Sequence, residues 1–335
     1  MGRYAAGNAP EADRMVDEAI KGIAARVASL SIPRLAGIVL GGGYGRGEGG
    51  VFGGSQPSNA EKTEAKRQIL SNDLDFYVVT DDGASDDDIA KIGEALKPVA
   101  EEWTSRLGID VDFCTAKTPW RLKHDENRLM VQELVHGYVD VVGKKGEELF
   151  AGVKRLEPSA LPWSEAVRLL VNRGAGLLLA KEKSEKSGKI DVSAAAQTFI
   201  NRNINKCILG AGDARLIAQH RYKWRIEERA ETLGDAIYSR AAEWKLRPQP
   251  TAVCDWETAR KTWMDAFDEI VATRAKRPRR SFYNAARWLA RRRNIGPLST
   301  FGLAPEVRIV RSMRKTIERR GAFHSSLKKD WMIFN

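Results

Sequence analysis

Apolar residues follow two different periods over roughly the first 150 residues. Over 12–30 they recur at helical spacing, which predicts an amphipathic helix. The run 38–40 is too short for a helix and ends in glycine, and 72–79 alternates polar with apolar residues, so both are predicted to be strands. A further strand is predicted from about Ile109, after a helix over 86–107 whose acidic start suits a helix N-terminus. These elements predict an α/β class with a mixed sheet and flanking helices.

From Pro158 the pattern changes to longer amphipathic stretches, which predict a second, all-helical domain. The predicted helices cover 163–181, 194–218, 222–233, 236–246 and 256–273. The highly charged stretch 181–189 is predicted to be a solvated loop, and residues 133–142 and 148–152 a helix end and short strands. The chain is therefore predicted to hold a catalytic domain over 1–155 and a helical domain over 156–335.

Composition narrows the class of protein without choosing a function. The chain has 335 residues, 43% of them hydrophobic, and a net charge of +11, which suits anionic partners such as nucleotides, nucleic acids or acidic surfaces. No apolar run is long enough for a membrane span, and the start of the chain lacks a signal-peptide core, so no membrane partner is expected. The three cysteines are far apart and form neither a disulfide framework nor a zinc site, which favours a reducing cytoplasm.

Glycines and aspartates follow the predicted strands. The glycines of 41–43 let the backbone turn tightly after the first strand, and such turns place N–H groups around phosphate. The spacing fits neither a P-loop nor the dinucleotide fingerprint. Asp73 and Asp75 alternate with apolar residues and so share one face, roughly 6–7 Å apart. Asp110 and Asp112 repeat this arrangement on the next strand.

Three carboxylates that converge from two strands repel one another unless a cation joins them. Oxygen ligands of this kind favour Mg²⁺, which is shared with substrate phosphates, and two such ions hold the attacking and leaving oxygens of a phosphoryl displacement. The alternative interpretation is that these aspartates end strands or cap helices. Aspartate is depleted from strands, yet occurs twice in each of two here, which favours the metal interpretation.

Three segments resemble the nucleotidyltransferase superfamily of DNA polymerase beta type: GGYGRGE at 42–48, DLD at 73–75 and VDF at 111–113. The resemblance covers roughly residues 1–150. The superfamily includes the aminoglycoside and minimal nucleotidyltransferases. Residues 44–72 separate the glycines from the first aspartate, whereas the family usually has a much shorter gap. The extra stretch, within 51–70, is polar and rich in Gly, Ser, Lys and Glu, which predicts an inserted loop or a cover over the site.

The resemblance implies a site and a reaction. The turn at Gly42 and Gly43, with Arg46 as a phosphate partner, would bind the triphosphate of an NTP such as ATP. The paired Asp73 and Asp75, with Asp112 as the third carboxylate and Asp110 as its alternative, would hold two Mg²⁺ ions. The reaction implied is Mg²⁺-dependent transfer of a nucleoside monophosphate from an NTP to a hydroxyl acceptor on a small molecule or a protein.

Two other functions stay open at this point. The segment Arg274–Arg293 holds nine basic residues and no acidic one, interleaved with three aromatic residues, so an RNA-directed nucleotidyltransferase is one alternative. The aromatic residues of this segment also lie at helical spacing, which suits a core, and a basic run is usually a solvated face. A non-catalytic nucleotide-binding module is the other alternative, and three intact carboxylates argue against it.

Overall fold

The computed structural model describes residues 2–52, 70–186, 193–272 and 305–334. The chain divides into two compact units, Met1–Glu157 with Lys245–Gln249, and Pro158–Trp244 with Pro250–Asn335. Most of the predicted insertion within 51–70 and the whole of the basic segment 274–293 lie outside the described residues. Of the helices that the structure describes, none has the length and apolar character that a bilayer crossing requires.

The first unit is a four-stranded mixed sheet with flanking helices, which confirms the predicted α/β class. Its elements are α1 (Pro10–Ser29), β1 (Leu35–Leu40), α2 (Gly42–Gly45), β2 (Leu74–Thr80), α3 (Asp86–Leu107), β3 (Val111–Lys117), α4 (Pro119–His124), α5 (Leu129–His136), β4 (Val139–Gly143) and α6 (Gly146–Leu149). The strand order is β3-β2-β1-β4, with β2 and β3 parallel and β1 antiparallel to both of its neighbours. The first residues of β2 and β3 therefore lie beside the last residues of β1, at one end of the strands.

Capping side chains set the limits of α3, as the sequence predicts for 86–107. The Ser85 hydroxyl accepts a hydrogen bond from the Asp88 N–H, and the Asp88 carboxylate accepts one from the Ser85 N–H. The helix ends at Gly108, which adopts φ 71°, the left-handed conformation that glycine tolerates best. The acidic residues at the start of α3 thus act as capping charge.

Period-two alternation divides the sheet between two apolar cores. Ile38 and Phe76 point to the core formed with α1 and α3. Val39 and Val79 point to the opposite core, where Leu134 of α5 lies. Since side chains alternate along a strand, residues 75, 77 and 79 of β2 share the face that α5 covers. This places Asp75 on the α5 side of the sheet.

The described part of the second unit consists of helices. They are α7 (Trp163–Lys186), α8 (Ala194–Ala218), α9 (Ile226–Leu233), α10 (Ala236–Leu246), α11 (Trp256–Phe267) with a π-helical continuation (Asp268–Ala272), α12 (Pro305–Glu318) and α13 (Ser325–Phe334), after a 3₁₀ turn at Pro158–Ala160. The last two residues of α10 belong to the first unit. Trp263 of α11 is completely buried, and its indole N–H donates a hydrogen bond of 2.9 Å to the Leu170 carbonyl of α7. A tryptophan that satisfies its one donor in this way anchors the core of the second unit.

Two local predictions are wrong. The predicted loop at 181–189 is helical as far as Lys186, because lysine and glutamate are good helix formers and Lys181 pairs with Glu185 one turn later at 3.0 Å. Residues 148–152 do not form the predicted strand. Glu148 lies in α6, where it and its neighbour place negative charge in the first turn of the helix, and the strand of this region is β4.

Candidate functional site

The backbone of the glycine turn lies directly against the carboxylate of Asp75. The Gly41 N–H donates a hydrogen bond of 2.9 Å to the Asp75 carbonyl, which extends the pairing of β1 with β2. Gly42 adopts φ +60°, and a Cβ atom added there would lie 2.3 Å from Asp75 Oδ2. Any side chain at position 42 would therefore collide with this carboxylate. The sequence predicted that this backbone closely approaches a bound phosphate, and that contact stays a prediction; the group that the structure places against Gly42 is the Asp75 carboxylate.

The parallel ladder brings the aspartates of two strands side by side. Asp75 and Asp112 are register partners, so their side chains share a face at the strand spacing of about 4.8 Å. The Leu74 N–H donates to the Asp110 carbonyl at 2.9 Å. The structure thus pairs Asp75 with Asp112, whereas Asp73 and Asp110 directly precede β2 and β3.

The electrostatic environment of this face opposes further negative charge. Partial desolvation, followed by the charges of Asp73 and Asp110, raises the pKa of Asp112 above its usual range, although its carboxylate reaches solvent. Burial and then the neighbouring Asp75 and Asp112 raise the pKa of the Cys114 thiol to about 12. A cation bound at this face would relieve the repulsion between the carboxylates.

The residues present fit Mg²⁺ that binds together with a phosphate substrate. Within the described ranges, no three His, Cys, Asp or Glu side chains form a ready metal cage. Mg²⁺ seldom needs such a cage, because it keeps several waters and is usually held by one or two carboxylates and by substrate phosphates. Asp75 and Asp112 have the oxygen donors and the side-by-side register that such a pair requires.

Arg46, the predicted phosphate partner, lies between two carboxylates. Its Nη1 is 3.4 Å from Glu133 Oε2 on α5, and its Nε is 3.6 Å from Glu48 Oε2. The Glu48 side chain is only 1% exposed and also lies 3.5 Å from Lys245 Nζ. Arg46 therefore holds Glu48 and Glu133 close to the glycine turn, and its contact with a phosphate stays a prediction.

Tyr44, which sequence reasoning did not single out, fixes the glycine turn to the segment before the first aspartate. Its hydroxyl donates to the Gly50 carbonyl at 2.7 Å and accepts from the Ser71 N–H at 3.2 Å. Burial raises the pKa of Tyr44 to about 12, so the hydroxyl stays protonated and keeps its donor. The feature of the sequence that indicates this role is a single aromatic residue within a glycine-rich run, where its ring can pack against the turn.

No protein-family model matches the chain, and no curated protein matches it either. The resemblance to nucleotidyltransferases therefore depends on the three motif segments of the sequence alone.

Proposed function

We propose that this protein is a Mg²⁺-dependent nucleotidyltransferase that moves a nucleoside monophosphate from an NTP to a hydroxyl group of a small molecule or a protein. The observation that supports this most strongly is the contact of the glycine turn with Asp75, which is itself paired in register with Asp112. Backbone N–H groups of a glycine turn beside two carboxylates are the combination that transfer from an NTP requires.

The order of elements supports the finer proposal for the fold. A glycine turn follows β1, the paired aspartates begin β2, and the third carboxylate lies on the parallel neighbour β3. We propose that the first unit has the nucleotidyltransferase fold and that the second unit is a helical domain.

Each residue of the site would have a separate role. The N–H groups of Gly42 and Gly43 stand at the start of the one-turn helix α2, where N–H groups lack intrahelical acceptors, and would donate to phosphate oxygens. Asp73, Asp75 and Asp112 would supply the ligands of two Mg²⁺ ions. Bound Mg²⁺ would neutralise charge on the triphosphate and align the attacking and leaving oxygens.

The chemistry is a substitution at the α-phosphorus of the NTP. The acceptor oxygen forms a bond to this phosphorus, the bond to the bridging oxygen breaks, and diphosphate leaves with the electron pair. Asp112, on the same face as Asp75, would accept the proton of the acceptor hydroxyl at a carboxylate oxygen.

The test is an incubation of the protein with each of the four α-labelled NTPs, Mg²⁺ and a panel of small molecules, proteins and RNAs. We expect the label to move to a small molecule or a protein, with release of diphosphate, and EDTA to abolish the transfer. Transfer to RNA alone would favour the alternative acceptor class. Absence of Mg·NTP binding by calorimetry would contradict the proposal.

A further inference from the structure

A short segment before α1 wraps around one carboxylate. This segment, residues 2–7, is called the strap below. The carboxylate of Asp13 accepts hydrogen bonds from three consecutive backbone N–H groups of the strap, those of Arg3 at 2.7 Å, Tyr4 at 2.9 Å and Ala5 at 2.9 Å. Hydrogen bonds to an ionised acceptor are stronger than neutral ones, so Asp13 fixes the path of the strap.

The strap continues as a strand partner of the loop that follows the glycine turn. Ala5 and Gly49 form an isolated parallel bridge. The Gly49 N–H donates to the Tyr4 carbonyl at 3.0 Å, and the Gly49 carbonyl accepts from the Ala6 N–H at 2.9 Å. Both backbone polar groups of Gly49 are therefore bonded to the strap.

Gly49 in turn lies against the glycine turn. A Cβ atom at Gly49 would be 2.0 Å from Cδ1 of Tyr44, so its backbone rests on the ring of that residue. One residue earlier, the Glu48 N–H donates to the Gly43 carbonyl at 2.8 Å. A continuous series of bonds and contacts thus leads from Asp13 through the strap to the predicted phosphate-binding backbone.

We propose that Asp13 is a positioning residue for the nucleotide site, because through the strap it holds the glycine turn in its binding conformation. This rests on the proposed function, since the ligand at the turn is the triphosphate. Seven of the ten residues in 41–50 are glycines, the residues that lose most conformational freedom when they are ordered. Because the strap already orders the turn in the free protein, less conformational entropy is lost when the nucleotide binds.

The competing explanation is that the strap only covers the core. Tyr4 is 1% exposed and Ala5 is fully buried, so the strap contributes apolar burial as well. If the role of Asp13 is purely structural, its substitution lowers the stability of the whole unit. If Asp13 positions the turn, its substitution loosens the turn and weakens nucleotide binding, while the sheet stays protected.

The test compares Asp13→Asn with Glu11→Gln. Asparagine keeps the volume but replaces one acceptor oxygen by a donor that faces the strap N–H groups. Glu11 precedes Asp13 on the same helix and pairs with Arg14 at the exposed surface. We expect Asp13→Asn to speed amide hydrogen exchange at Glu48 and Gly49, to leave Tyr77 and Val78 of β2 protected, and to raise the Kd for Mg·ATP or Mg·GTP roughly tenfold. Glu11→Gln is expected to change none of these.

Unchanged exchange at Gly49, or faster exchange with an unchanged Kd, would overturn the positioning role. Loss of protection at β2 in Asp13→Asn as well would show that Asp13 stabilises the whole unit, and would overturn the positioning role. Failure of the proposed function is seen separately, in wild-type protein that binds neither nucleotide.

Discussion

Replacing Gly42 by alanine perturbs both the backbone of the glycine turn and the carboxylate of Asp75. The residue adopts φ +60°, a conformation that costs an alanine about 1–2 kcal/mol. The added Cβ would also lie 2.3 Å from Asp75 Oδ2, so the carboxylate has to move by roughly 1 Å to reach an ordinary contact distance. A displacement of about 1 Å in a site of this kind costs about a hundredfold in rate. We therefore expect Gly42→Ala to lower the free energy of unfolding by about 1–2 kcal/mol and nucleotide transfer by about a hundredfold.

The matched control is the same substitution at Gly93, in the interior of α3. A Cβ atom at Gly93 meets no other atom within 4 Å, so alanine there is expected to raise stability by up to about 1 kcal/mol without altering transfer. Denaturant unfolding followed by circular dichroism gives the stability of both variants, and steady-state transfer of labelled NTP gives their activity. If Gly42→Ala transferred nucleotide as fast as Gly93→Ala, the contact between the turn and Asp75 would have no role in the reaction.

Three further predictions concern other parts of the molecule. Asp112→Asn is expected to cut transfer at least about a hundredfold and Asp110→Asn much less, because Asp112 is the register partner of the paired aspartate; equal losses in steady-state assays would contradict this assignment. Arg229→Met is expected to lower the free energy of unfolding by about 3–5 kcal/mol, since it removes the buried guanidinium 3.1 Å from Asp213; urea unfolding measures this. Burial raises the pKa of the Cys254 thiol to about 11. Its rate of alkylation by iodoacetamide is therefore expected to be low at pH 8 and to rise up to about pH 11, and a plateau of this rate near pH 9 would contradict the shift.

Local patterns predicted the elements that carry the site. The alternation over 72–79 predicted a strand, and β2 confirms it over Leu74–Thr80, so Asp75 lies in the strand and Asp73 directly before it. The acidic start of α3 predicted a capped helix, because capping depends on a few neighbouring residues. Such features are determined within one turn or one strand, so a single sequence contains them.

Features that depend on distant residues could not be predicted in this way. The pairing of Asp75 with Asp112 depends on the register of two strands joined through α3, which tertiary packing determines. Lys245 lies in the last turn of α10, and no local pattern indicates that it pairs with Glu48 of the first unit. The strap is equally hidden, since Asp13 binds backbone N–H groups and these leave no trace in residue identity.

Binding of an NTP that depends on both Mg²⁺ and Asp75 tests the central claim most directly. The measurement is calorimetry of ATP and GTP with wild type, Asp75→Asn and the control Asp87→Asn, each with Mg²⁺ and with EDTA. Asp87 lies at the exposed start of α3 and pairs with Lys91, so its substitution leaves the site unchanged. We predict Mg²⁺-dependent binding for wild type and Asp87→Asn, and its loss or a large weakening for Asp75→Asn, whose site lacks one ligand charge. Equal affinity of all three proteins, or binding that EDTA does not affect, would contradict the account.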